Sequence, residues 1–173
     1  MLAFLRTRVG LLDGVVFSGG EPTLQDALPA AIEDVRQLGF RVGLHTAGQY
    51  PDTLVRVLDR IDWVGFDVKA PWEAYRRVTG VDGSGDAARE SLAYLVRSGV
   101  DFEVRTTVHP DLLSAEDLTV LADQLVACGV RRYAVQGFRP QGCVGNLRPA
   151  SLHAANLPAG LADRFAWFEV RGS

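Results

Sequence analysis

The chain has 173 residues, 47% of them hydrophobic, with 21 acidic and 18 basic side chains and a formal net charge of −3. That apolar content supports a sizeable core and excludes a disordered chain, while the interspersed charges form no basic stripe for nucleic acid or an anionic membrane. No apolar run approaches the about 18 residues of a membrane span, residues 1–10 lack a secretory-signal layout, and Cys128 and Cys143 are too few for a disulfide framework, so a cytoplasmic protein with reduced thiols is expected.

Residues 1–12 place Leu2, Leu5 and Leu12 around Arg6 and Arg8, the pattern of a helix tail. The apolar run Val15, Val16, Phe17 reads as a strand, and Ser18-Gly19-Gly20-Glu21-Pro22-Thr23 makes the turn into the next helix. Two glycines let a ligand approach the main chain, and a carboxylate beside a proline suits an ammonium group better than a phosphate. Leu24, Leu28, Ala31, Ile32, Val35 and Leu38 recur on one helical face up to Gly39, with Thr23 and Asp26 spaced as a capping box. Residues 40–44 predict a strand, 51–60 a helix opened by Pro51, and 63–68 another strand.

A short helix over 72–78 leads through the glycine-rich loop 79–85 into a helix over 86–98. That loop has no Walker lysine and follows no strand, so it is not a phosphate cradle. A strand over 102–108, a helix from Ser114 to Gly129 capped by Ser114 and Asp117, and a strand over 132–136 complete the periodic part. Gly39, Gly99 and Gly129 each end a helix just before a strand. This succession predicts an α/β fold with parallel strands, either curled as a barrel or open and doubly wound.

Residues 1–140 read as one domain, and residues 141–173, which lose periodicity, as an irregular tail packed on it. No strand is predicted ahead of Val15, which would leave an apolar edge of the kind natural sheets avoid, so the sequence reads as starting partway through a fold.

Ligands of parallel α/β sheets sit beyond the carboxyl ends of the strands. Those ends supply Ser18 to Glu21, then His45 and Thr46, Asp67 and Lys69, Arg105 and Thr107, and Gln136 with Arg139 nearby. Asp67 and Lys69 share one strand face, as do Arg105 and Thr107. If these faces turn inward, opposite charges and hydrogen-bonding groups converge on one cavity. The alternative for Asp67 and Lys69 is a structural ion pair at the rim. His45 and His109 are expected to be satisfied structurally rather than catalytic, Cys128 to pack as a small hydrophobe, and neither Cys128 nor Cys143 to act as a nucleophile; His153 carries no argument. A lyase using Lys69 as an amine nucleophile has no substrate motif behind it.

The string Val15-Val16-Phe17-Ser18-Gly19-Gly20-Glu21-Pro22-Thr23-Leu24 resembles the Gly-Gly-Glu-Pro motif of radical S-adenosylmethionine enzymes, in particular the activating proteins of glycyl-radical enzymes. His45-Thr46-Ala47-Gly48, Asp67-Val68-Lys69 and Arg105-Thr106-Thr107-Val108 are similar to the later strand-end motifs of that group, in the same order. The likeness is greatest to anaerobic ribonucleoside-triphosphate reductase activating proteins and extends to Trp167-Phe168-Glu169-Val170-Arg171. It implies a partial (βα)6 barrel of parallel strands whose first strand is absent. It also implies that Gly19, Gly20 and Glu21 hold the amino group of S-adenosylmethionine, with Pro22 shaping the turn. Thr46, Asp67 and Lys69 would contact the cofactor or support its carboxylate and ribose, and Arg105 and Thr107 would complete that wall.

In the family, a reduced 4Fe-4S cluster cleaves the cofactor, and the radical formed takes hydrogen from a glycine of the partner, here anaerobic ribonucleotide reductase, with an external electron donor. The family's Cys-x3-Cys-x2-Cys loop has no counterpart here, and Cys128 and Cys143 match it in neither number nor position. The resemblance therefore implies a truncated family member, inactive on its own, with cysteines encoded upstream. The alternative is a non-catalytic S-adenosylmethionine-binding or regulatory module of the same fold.

Overall fold

A computed structural model describes residues 1–138 and 157–172. The fold is α/β: six strands form one parallel sheet in chain order, β1 (Gly14–Phe17), β2 (Arg41–Thr46), β3 (Trp63–Asp67), β4 (Asp101–Val108), β5 (Arg132–Gly137) and β6 (Trp167–Arg171). The helices are α1 (Leu2–Arg6), α2 (Leu28–Gln37), α3 (Pro51–Val57), α4 (Tyr75–Thr79), α5 (Ser84–Ser98) and α6 (Ala115–Ala127). The chain divides into two compact units, Met1–Phe66 with Ala87–Phe102, and Asp67–Asp86 with Glu103–Ser173.

In the first unit, β1 pairs with β2 and β2 with β3, both in parallel, and Phe17 stands opposite Leu44. Ile32 and Val35 of α2, Leu54 and Val57 of α3 and Ala88, Leu92 and Leu95 of α5 are buried, as are Val42, Leu44, Val64 and Phe66 of the strands. Burying a side chain of this size contributes about 1.5–3 kcal/mol, so this apolar set outweighs any single polar contact of the unit. β1 stands at one end of the sheet order, and its Val16 is half exposed.

The helix predicted from Leu24 begins later. Pro22–Leu24 forms a 3-10 turn, and α2 starts at Leu28 after Ala27, which makes no side-chain cap. Thr23 does not cap α2, because its hydroxyl and amide are both taken by Glu21. A nearby carboxylate is the stronger partner for those donors.

In the second unit β4 pairs with β5 and β5 with β6, again in parallel. Leu118, Leu121, Ala122 and Leu125 of α6 lie buried, as do Val104, Tyr133, Ala134 and Val135 of the strands. The capping box of α6 is present, with Ser114 accepting from the Asp117 amide and Asp117 accepting from the Ser114 amide. That amide and the Arg77 guanidinium hold the Asp117 carboxyl below its ordinary range.

The tail expected to be irregular contains a strand. β6 runs beside β5 with Phe168 opposite Tyr133, and its rings pack with Tyr133 and Phe165. All five β6 residues are half-buried, so no alternation of apolar and polar residues announces the strand. The expectations for Arg139, Cys143 and His153 lie outside the described residues.

Arg171 anchors β6 to β4. Its guanidinium donates to both oxygens of the buried Glu103 at 2.7 and 3.0 Å and to Glu169 at 2.7 Å. A buried carboxylate that loses its partner costs about 3–5 kcal/mol. Arg171→Met is therefore expected to lower the urea unfolding midpoint by an amount equivalent to about 3 kcal/mol, and adding Glu103→Leu to restore most of it. An unmoved midpoint in the single variant would rule out this anchoring role.

Candidate functional site

Five strand-end residues of the first unit, Gly19, Gly20, Glu21, Pro22 and Thr46, were predicted as site residues, and the Glu21 carboxylate joins the turn that holds the first four to Thr46. After β1 the chain passes through Gly19 and Gly20, whose φ angles of 94° and 56° are left-handed and suit glycine. A Cβ at either glycine would meet nothing within 4 Å among the described residues, so the main chain there is open to a ligand. Glu21 returns to extended backbone and caps the 3-10 turn that Pro22 opens.

The Glu21 carboxylate accepts from four donors. Its Oε1 takes the Thr23 amide at 3.1 Å, the Thr23 hydroxyl at 2.5 Å and the Thr46 hydroxyl at 2.6 Å, and its Oε2 takes the Ala47 amide at 2.8 Å. Thr23 and Thr46 are both buried. Charge-assisted bonds to a carboxylate are worth about 1.5–3 kcal/mol each, roughly twice neutral ones, so this group holds the turn after β1 against the loop after β2. Glu21 is thus engaged by its own chain. His45 faces the other side of β2, its Nδ1 3.4 Å from the Ser18 hydroxyl and its ring edge-on to Trp63.

In the second unit Asp67, Lys69 and Arg105 come together. Asp67 accepts from Arg105 Nε at 2.9 Å and from Lys69 Nζ at 3.4 Å, and the Arg105 side chain is only 10% exposed. The structural pair foreseen for Asp67 and Lys69 is a triad, in which two cations share one anion.

The Lys69 amide donates to the hydroxyl of buried Tyr75 at 3.0 Å. Burial pushes the Tyr75 phenol well above its usual range and so keeps it neutral. Thr107 accepts from the Gln136 amide at 2.9 Å. Lys69, Thr107, His109, Gln136, Phe138 and Arg171 line a cavity of about 670 Å³ in this unit. Phe138 and Arg171 were missed in the sequence: Phe138 follows the last predicted strand, and Arg171 belongs to the strand that carried no period. His109 is buried, with Nδ1 accepting from the Asp111 amide and its ring edge-on to Phe138.

Among the described residues no three His, Cys, Asp or Glu side chains are placed to hold a metal ion. Cys128 follows α6, ahead of the amino end of β5, whereas Asp67 and Lys69 lie at and just past the carboxyl end of β3 and Arg105 and Thr107 in the carboxyl half of β4.

A family model for the radical SAM superfamily matches residues 1–123. A Methanocaldococcus jannaschii protein named as a glycyl-radical enzyme activating enzyme is 30% identical over 136 residues, covering 75% of this chain and 56% of the relative. The chain thus spans little more than half the length of that relative. Among solved structures, Streptococcus suis SuiB bound to its precursor peptide SuiA is similar with a TM-score of 0.75 at 15% identity, over 97% of this chain and 40% of SuiB. A domain of pyruvate-formate lyase-activating enzyme from Bacteroides vulgatus is similar with a TM-score of 0.63 at 14% identity, over 78% of this chain and 86% of the domain. Both structural likenesses concern the fold. The family match covers more than two thirds of the sequence and takes in the glycine turn with its carboxylate clasp, and on that ground the chain belongs to the radical SAM superfamily.

Proposed function

We propose that this chain binds S-adenosylmethionine and forms the cofactor-binding part of a glycyl-radical enzyme activating protein, with anaerobic ribonucleoside-triphosphate reductase as its partner. The observation that carries the reading is the Glu21 clasp, which fixes two glycines with open main chain above them. Carbonyl groups at such a turn accept from an ammonium group without displacing any side chain. The choice of this partner rests on the resemblance, which runs through to β6; the name of the Methanocaldococcus jannaschii relative supports a glycyl-radical enzyme without saying which.

The residues fit the cofactor in kind. Gly19 and Gly20 would take the amino group, Glu21 and Pro22 would hold the turn, and Thr46 would orient Glu21. Asp67, Lys69, Arg105 and Thr107 are assigned to the same cofactor by the resemblance, Lys69 and Arg105 contributing the positive charge that a carboxylate needs. Together with a reduced 4Fe-4S cluster, S-adenosylmethionine supplies the hydrogen-abstracting radical chemistry of this superfamily.

The residues do not fit the cluster. The sequence has two cysteines, Cys128 and Cys143, and a cluster of this type is held by at least three thiolates in one loop. The work assigned to these 173 residues is therefore binding and orienting. A binding module without redox chemistry is a second reading, favoured by the same cysteine count.

Titration calorimetry on the iron-free chain is expected to register saturable S-adenosylmethionine binding, and its absence would remove the proposal. Glu21→Gln is expected to weaken that binding by about 10- to 100-fold, because an amide nitrogen would face the Ala47 N–H and a charge-assisted bond of about 1.5–3 kcal/mol is lost. Anaerobic addition of iron and sulfide to the chain alone is expected to yield no cluster absorbance. A stable 4Fe-4S spectrum would overturn the assignment of binding without cluster ligation.

A further inference from the structure

We infer that Ser91, a buried serine of α5, is a positioning residue for the ligand-binding turn and acts through the Glu21 clasp. The inference rests on the S-adenosylmethionine-binding reading above and deepens it.

Ser91 is fully buried on the apolar stripe that Ala88, Leu92 and Leu95 make along α5. Alanine would pack there and favour the helix more, and a hydroxyl in such a place is tolerated only if bonded. A helical serine commonly bonds back to its own helix. Ser91 instead donates outward to the Gly48 carbonyl at 2.8 Å.

From that carbonyl a continuous path runs to the turn. Gly48 has a left-handed φ of 68°, and a Cβ on it would come within 2.5 Å of the Phe66 ring and 2.8 Å of the Ser91 Cβ, so its peptide has one seat. The Gly48 amide donates to Thr46 Oγ1 at 3.0 Å. A hydroxyl carries one proton, and with its oxygen accepting from Gly48 that proton is directed to Glu21 Oε1 at 2.6 Å. The adjacent Ala47 amide reaches Glu21 Oε2, and Glu21 in turn holds the Thr23 amide. The Gly48 carbonyl and amide belong to successive peptide groups, so the link between Ser91 and Thr46 is positional, through the fixed Gly48 backbone. Without the Ser91 hydroxyl the Gly48 carbonyl is stranded, and the loop that aims two of the four Glu21 donors loses its rear support.

The test uses the full chain with Ser91→Ala, and with Ser91→Cys, which keeps the shape with a weaker donor, should the alanine variant not fold. Two readouts are taken: the amide resonances of Thr23 and Ala47 without ligand, and the S-adenosylmethionine affinity by calorimetry. Ser98→Ala is the control, since Ser98 donates to Leu95 inside the same helix and touches no part of the path.

Ser91→Ala is expected to move both amide resonances, speed their hydrogen exchange and weaken binding five- to tenfold, with Ser91→Cys intermediate and Ser98→Ala unchanged. Resonances of Thr23 and Ala47 left in place in a folded Ser91 variant would overturn the positioning role, as would an affinity equal to that of the unaltered chain. If the unaltered chain takes up no S-adenosylmethionine, the binding reading fails, while the ligand-free resonances still decide whether Ser91 aims the clasp.

Discussion

Glu21 can reach both loops because β1 and β2 run in the same direction and in matched register. Phe17, the last residue of β1, stands opposite Leu44, and β2 runs two residues further to Thr46, so the turn after β1 lies beside the end of β2. An antiparallel neighbour would send its loop to the other edge of the sheet. Given that geometry, a carboxylate four residues past the end of β1 meets Thr46 and Ala47 and closes the turn. The left-handed glycines before it complete the reversal that aims the carboxylate inward.

The second unit answers the same problem with charge. Asp67 at the end of β3 is partly buried and is satisfied by Arg105 and Lys69. In the first unit the anion is saturated by amides and hydroxyls of its own loops, which leaves main-chain carbonyls as the acceptors for a cation. A zwitterionic amino-acid ligand needs acceptors for its ammonium end and donors for its carboxylate end.

Much of this was legible in the sequence because it is local. The alternation of strands and helices, the Ser114 and Asp117 capping box and the strand-end position of Glu21, Thr46, Asp67, Lys69, Arg105 and Thr107 all follow from spacing within about ten residues. The failures are long-range. Thr23 was read as a helix cap, but its hydroxyl and amide go to Glu21, whose carboxylate is fixed by a loop more than twenty residues away. β6 has no period because every residue in it is half-buried, and its anchor, Arg171 on Glu103, joins positions 68 residues apart. Ser91 reads as one more polar residue in an amphipathic helix. Only its burial and its bond to Gly48 set it apart.

Holding an amino-acid ligand and holding an iron–sulfur cluster make separable demands on a protein. The first requires a pre-shaped turn, and among the described residues the donors to Glu21 come from Thr23, Thr46 and Ala47, with no thiolate among them. A turn fixed by its own hydrogen bonds carries less ordering cost into binding than one that a ligand must assemble. The second requires cysteine thiolates that the sequence does not supply in number. The physical consequence is that the shape of the turn after β1 depends on Thr46 and Ala47, and through Gly48 on Ser91, and needs no thiolate to hold it.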